Sequence, residues 1–159
     1  VSMGGIPLAV ATTMCSGIPS GFTRKVNNAG KVEKYGEKHL IEGELCEGDQ
    51  LVILDDIVTK FSSKFQALKQ INQVAVSKNI NVKCSDVVVL IDRGQGAKEI
   101  AAENDLKLFS LINFKEEGIE WLKPYLDDIE YSVIKDYLNN EEKYQQKDVQ
   151  DEIIQLAKN

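Results

Sequence analysis

Apolar residues are arranged along this chain in two patterns that alternate. QLVIL at 50–54 and VVVLI at 87–91 are short, continuous apolar runs, and each stops at polar residues, Asp55-Asp56 and Asp92-Arg93. Continuous runs of that length predict buried parallel strands. Between them Phe65, Leu68, Ile71, Val74 and Ala75 recur at helical spacing from Ser62 to about Asn79, which predicts a helix with one buried face. The same reading predicts a third strand over Leu106–Ile112, a short helix over Gln95–Asn104 and a sheet-packed helix over Ile6–Cys15. Gly21–Val26 reads as a strand leading into a loop. Beyond Ile112 come helices around Glu116–Leu122 and Ile129–Leu138, then a frayed acidic tail from Gln145. Strand, helix, strand, helix, strand implies an α/β fold, a parallel sheet flanked by helices. Ligands of such sheets bind at the carboxyl ends of the strands, where both polar clusters fall.

Composition narrows the class. With 159 residues, 43% hydrophobic and 28% charged, the chain can bury a core without disulfides or structural metals. No stretch approaches the ~18 apolar residues of a membrane span. The apolar start, Val1–Ile18, holds Gly4, Gly5 and Pro7 and lacks a basic opening, so it does not read as a signal peptide. Cys15, Cys46 and Cys84 have no CxxC spacing, which suggests free thiols in a reducing cytoplasm and no metal framework. A net charge of −6 argues against a general nucleic-acid binder. The charge is uneven: residues 116–159 carry twelve acids against five lysines, whereas residues 1–115 carry thirteen acids against fourteen lysines and arginines. Arg24, Lys25, Lys31, Lys34 and Lys38 face only Glu33 and Glu37, among Asn27, Asn28, Gly30 and Gly36. That segment reads as a mobile basic loop, either simply solvated or an anion-closing flap if a phosphate site lies beside it.

The strongest chemical signal is VILDDIVTKFSSK at 52–64. An apolar strand delivers two adjacent carboxylates, and hydroxyls follow at Thr59, Ser62 and Ser63 where a helix should begin. Backbone N–H groups and hydroxyls at a helix start can cradle a phosphate, and carboxylates upstream can accept hydrogen bonds from a vicinal diol. A sugar phosphate satisfies both. The plainer alternative is that Ser62 or Ser63 caps the helix and the acids are turn residues.

The string resembles the phosphoribosyl-diphosphate (PRPP) motif of type I phosphoribosyltransferases: a hydrophobic strand, paired acids, two variable residues, a threonine and a small-residue phosphate loop. Asp55 and Asp56 match the acids, Thr59 the threonine and Ser62-Ser63 the loop's end, while Phe61 stands where the family nearly always has glycine. Three further segments narrow the resemblance to the orotate phosphoribosyltransferase family. FTRK (22–25) with KYGEKHLIEG (34–43) is similar to its catalytic loop and return strand, LIDRGQGAKE (90–99) to its Asp-Arg-x-Gln-Gly segment, and GIPLAVAT (5–12) to its diphosphate-side loop and helix. All occur in the family's order across roughly Gly4–Ile112. The family also carries an N-terminal segment that covers the base; the match here begins inside the core.

The resemblance implies a Rossmann-like type I phosphoribosyltransferase core over 1–127 with a C-terminal helical extension over 128–159. It implies transfer of ribose-5-phosphate from PRPP to orotate, giving orotidine 5'-monophosphate and diphosphate on the route to UMP. Lys25, Lys31, Lys34, Asp55 and Asp56 would be the catalytic set. Nine residues separate Lys25 from Tyr35 where the family usually has fewer, so Lys31 and Lys34 both stand for the catalytic lysine. PRPP would be bound by Arg24, Lys25, Lys34, Tyr35, Asp55, Asp56, Ile57, Val58, Thr59, Lys60, Phe61, Ser62 and Ser63, and orotate by Thr59 and Arg93. The alternative for Arg93 is a structural salt bridge to Asp92 or Asp86. Mg²⁺ would be held mainly through PRPP, without a protein cage. A cytoplasmic homodimer with shared active sites is expected, with orotidine monophosphate decarboxylase as a candidate partner and no nucleic acid or membrane. His39, the single histidine, reads as a bystander; Trp121, Tyr125, Tyr131 and Tyr137 as packing residues; Glu42 and Glu44 as exposed strand residues.

Two other readings compete. Receiver domains also place acids after two strands, and Asp92 lies 36–37 residues after Asp56 and Asp55. However, over fifty residues precede the pair here, and the hydroxyls would go unexplained. The second is a phosphoribosyltransferase-like protein that binds or senses a nucleotide without turning it over.

Overall fold

The computed structural model describes residues 4–24 and 39–156. Helix α1 (Gly5–Ser16) is followed by a small antiparallel hairpin, β1 (Phe22–Thr23) against β2 (Ile41–Glu42). The hairpin is extended by a hydrogen bond from the Arg24 amide to the Leu40 carbonyl at 2.9 Å. The strand expected over 21–26 is thus confined to two residues among those described. Next come β3 (Gln50–Val58), α2 (Ser62–Lys78), β4 (Lys83–Asp92), α3 (Ala97–Glu103) and β5 (Lys107–Asn113). β3, β4 and β5 form a parallel three-stranded sheet in that order, as the apolar runs predict.

The centre of the sheet holds the driest side chains: Val87 and Val89 of β4 are fully buried. A strand with neighbours on both sides and helices over it can shelve apolar residues continuously, which is why VVVLI reads without polar alternation. α2 buries Lys64, Ala67, Gln70, Ile71 and Ala75 at helical spacing. α3 turns Ala97 and Ala101 inward, small side chains that let a seven-residue helix sit close to β5. Register then decides where the site lies: Val58 is opposite Asp92, and Asp92 opposite Asn113, so the three strands end level.

The C-terminal part departs from expectation in three places. Residues 114–118 form a π-helical turn before α4 (Ile119–Leu122), with the Asn113 side chain accepting from the Glu116 amide. After α5 (Asp128–Asn139), which starts on an Asp127–Glu130 capping box, the expected frayed tail is instead α6 (Lys147–Leu156). Trp121 and Tyr125 are not packing residues: they are 59% and 85% exposed. α1 packs on β3, yet Val10 and Met14 on it are exposed.

Candidate functional site

Period-two alternation would send neighbouring side chains of a strand to opposite faces, and it separates the two acids at the end of β3. Asp55 turns inward and is 1% exposed. There its Oδ2 accepts from Lys64 Nζ at 2.7 Å, and the same ammonium donates to the Ile57 carbonyl at 2.6 Å and Ser63 Oγ at 3.3 Å. Lys64 is 2% exposed, so this is a fully buried ion pair whose remaining donors are also used. Lys64 is a site residue that the motif itself does not single out. The signal was its place on the buried 64–67–71–75 stripe of α2, where a lysine needs an acid.

Asp56 is half-buried and faces the start of α1. A Cβ on Gly4 would fall 1.9 Å from Asp56 Oδ2, and one on Gly5 would lie 2.9 Å from Asp55 Oδ1. The glycine pair is therefore required for α1 to bring its amino end onto both carboxylates. Favourable placement of acids at a helix start is the expected electrostatics.

The loop Thr59–Ser63 connects β3 to α2. Phe61 occupies the N-cap position with φ 66°, the left-handed conformation that glycine adopts at no steric cost. Its carbonyl receives the Lys64 and Phe65 amides at 3.0 and 3.1 Å, and no side chain caps the helix. The plainer alternative, that Ser62 or Ser63 caps the helix, thus does not hold; both serines are exposed at the helix start. The Phe61 ring is 1% exposed, belongs to the hydrophobic core and lies 5.3 Å from the Phe65 ring. The aromatic side chain thus serves as a core anchor beneath the loop, while the backbone above it holds the shape glycine would give.

β4 brings the second group of residues alongside. The Arg93 amide donates to the Val58 carbonyl at 3.1 Å, continuing the β3–β4 pairing past the last register pair. Thr59 and Arg93 therefore leave the sheet side by side. Neither acid named as an alternative partner takes the guanidinium. Asp92 Oδ1 accepts from the Gly94 amide, and Asp86 from Ser85, whereas Arg93 Nη2 donates to Tyr137 Oη at 2.6 Å. Tyr137 is consequently more than a packing residue. Glu141 accepts from Gln95 Nε2 at 2.6 Å and pairs with Lys60 Nζ at 2.5 Å. That hydrogen bond and charge hold the exposed Lys60 ammonium above the ordinary lysine range.

Arg24 lies at the hairpin, its guanidinium paired with Glu42 and its carbonyl receiving the buried Gln70 side chain at 2.8 Å. Glu42 is thus half-buried and engaged rather than a plain exposed strand residue. Lys25, Lys31, Lys34 and Tyr35 lie outside the described residues. His39 is exposed. Among the described residues no group of three or more His, Cys, Asp or Glu gathers as a metal cage. With Asp55 committed to Lys64, a divalent ion at this end of the sheet would take most of its oxygens from its ligand, a donor set that suits Mg²⁺.

No family model matches the chain. It is 36% identical over 118 residues to an orotate phosphoribosyltransferase of Methanocaldococcus jannaschii, covering 73% of this chain and 60% of that protein. With the Methanococcus maripaludis enzyme of the same name it shares 33% over 119 residues, 75% of this chain and 58% of the relative. The chain thus spans a little under two thirds of these curated relatives. Among solved structures, orotate phosphoribosyltransferase from Aeropyrum pernix matches 76% of this chain and 63% of its own, with 25% identity and a TM-score of 0.60. A phosphoribosyltransferase from Corynebacterium diphtheriae matches 74% of this chain and 63% of its own with a TM-score of 0.58 at 21% identity, a likeness of fold. By sequence and by fold together, the chain is a relative of the orotate phosphoribosyltransferases, built on the type I phosphoribosyltransferase core.

Proposed function

We propose that the chain transfers ribose-5-phosphate from PRPP to orotate, forming orotidine 5'-monophosphate and diphosphate for pyrimidine synthesis. The observation that carries this is the pairing of Arg93 with Val58 across the ends of β3 and β4, which sets the Thr59–Ser63 loop beside Arg93. One loop suits a sugar 5-phosphate and the other a planar carboxylate, the two fixed features of donor and acceptor.

In this reading Thr59, Ser62 and Ser63 and the first amides of α2 hold the 5-phosphate, while Lys60, paired with Glu141, borders it. Asp56, at the amino end of α1, accepts from the ribose hydroxyls. Asp55 acts through Lys64, stiffening the end of the strand. Ile57, Val58 and Phe61 serve through backbone and packing. Breaking the anomeric bond builds positive charge on the ribose and negative charge on the diphosphate. Lys25 with Lys31 or Lys34 neutralises the diphosphate, joined by Arg24 once its pair with Glu42 opens. Mg²⁺ bound with PRPP would supply further neutralisation of that leaving group. Thr59 and Arg93 receive orotate. We place the protein in the cytoplasm as a homodimer, with orotidine monophosphate decarboxylase as its metabolic neighbour. Among the described residues no helix is long and apolar enough to cross a membrane.

The test follows orotate absorbance with PRPP and Mg²⁺. Arg93→Ala should raise the orotate KM roughly ten- to hundred-fold, the worth of a charge-assisted pair. Tight nucleotide binding without orotate consumption would refute catalysis and favour the sensor, a reading to which the internal neutralisation of Asp55 by Lys64 lends support.

A further inference from the structure

We infer that Tyr137, in the last turn of α5, and Glu141, just beyond that helix, are positioning residues that set the acceptor side of the site. The inference rests on the proposed role of Arg93 in receiving the orotate carboxylate. An arginine on a flexible stem gives up considerable rotamer freedom when it engages a ligand, and fixing it beforehand removes that cost. Tyr137 Oη accepts one Nη2 hydrogen of Arg93 at 2.6 Å, and the guanidinium carbon lies 5.4 Å from the ring centroid. Because the fork is planar, one fixed hydrogen bond and one fixed contact define the plane in which its other donors can meet a carboxylate.

The tyrosine is itself braced. Its ring meets that of Tyr144 edge-on, with centroids 5.4 Å apart and planes at 88°. Tyr144 Oη donates to Asp136 Oδ2 at 2.7 Å, and Lys143 Nζ reaches the same oxygen at 2.7 Å. Past the C-cap of α5, the Glu141 carboxylate takes Gln95 on one oxygen and Lys60 on the other. Tyr137 and Glu141 therefore grip the segment 93–95 at both ends, and Glu141 also ties it to the loop after β3. The partners are 44 and 46 residues apart in sequence, so these contacts are tertiary, joining the helical extension to the core.

Steady-state kinetics on the full chain tests this. Tyr137→Phe keeps the ring and removes only the acceptor oxygen. It should raise the orotate KM roughly three- to ten-fold, as expected for one hydrogen bond to a charged group at a half-exposed site. The PRPP KM, kcat and the unfolding midpoint should stay near those of the unchanged protein. Glu141→Ala should raise the orotate KM as well, and Glu141→Gln, which can still accept from Gln95, should restore most of it. An unchanged orotate KM in both Tyr137→Phe and Glu141→Ala, or equal shifts in the two substrates' KM values, would overturn the inference while leaving the proposed activity standing. Absence of turnover in the unsubstituted chain would overturn the activity and this inference with it.

Discussion

Replacing Phe61 by glycine puts in the residue that the resemblance leads one to expect at this turn, and the structure predicts that this destabilises the protein. Two effects oppose. Relieving a left-handed non-glycine residue returns about 1–2 kcal/mol. Against that, the ring is 1% exposed within the core, and deleting a buried phenylalanine costs about 3–5 kcal/mol. Added chain entropy from glycine takes back about 0.5–1 kcal/mol of the relief. The net is a loss of about 3 kcal/mol, or roughly 6–12 °C in melting temperature for a chain of this size. Phe61→Ala should be worse than glycine by about 1 kcal/mol, because it loses the ring and keeps the strained φ. Urea unfolding of the three proteins at constant m reads that order directly. If the proposed activity holds, the PRPP KM of the glycine variant should stay within about two-fold, because the loop backbone already has the glycine-like shape. A glycine variant as stable as the parent, or an alanine variant more stable than the glycine one, would refute the reasoning.

Lys64→Met leaves Asp55 buried without its ammonium and should cost about 3–5 kcal/mol in urea unfolding. Adding Asp55→Asn should recover a good part, whereas strictly additive costs would deny the coupling. Asp136 is held down at about 2, first by its bond from Lys143 and then by those from Tyr144 and Asn140, against an ordinary value of 3.8. A depressed carboxylate stabilises the fold above its unfolded pKa and loses that contribution as pH falls towards 2. Acid titration by circular dichroism should therefore show a loss of helix in that window, absent in Asp136→Asn. Burial, then the nearby Asp86 charge, push the Cys84 thiol up to about 11. Cys15 and Cys46, which are exposed, should react with a thiol reagent at pH 8 well before Cys84, and equal rates of all three would contradict the packing.

The sheet was legible because β3 and β4 carry unbroken apolar runs, even though Val52 on β3 is 56% exposed; QLVIL and VVVLI needed no partner to be read. The acids and Arg93 were legible because they sit where those runs stop. What was not legible depends on contacts distant in sequence. Nothing near Arg93 indicates that its partner is Tyr137, 44 residues on, rather than the adjacent Asp92. The left-handed turn at Phe61 is set by the core beneath it, against its own propensity. The acidic tail looked frayed because its polarity hides the helix α6, whose apolar positions Val149, Ile153 and Ile154 follow helical spacing. Lys64 is hard to read from sequence because a lysine beside two serines suggests a phosphate contact or solvent, not a buried partner for Asp55.

The hydrogen bond between the Arg24 amide and the Leu40 carbonyl has an entropic corollary. The chain leaves the hairpin at Arg24 and is back in it at Leu40, so the two ends of the intervening stretch are joined by that bond. Doubling such an excursion costs only about 0.6 kcal/mol of closure entropy. A change in the length of the chain between those two residues therefore alters the entropy of closing the hairpin only slightly.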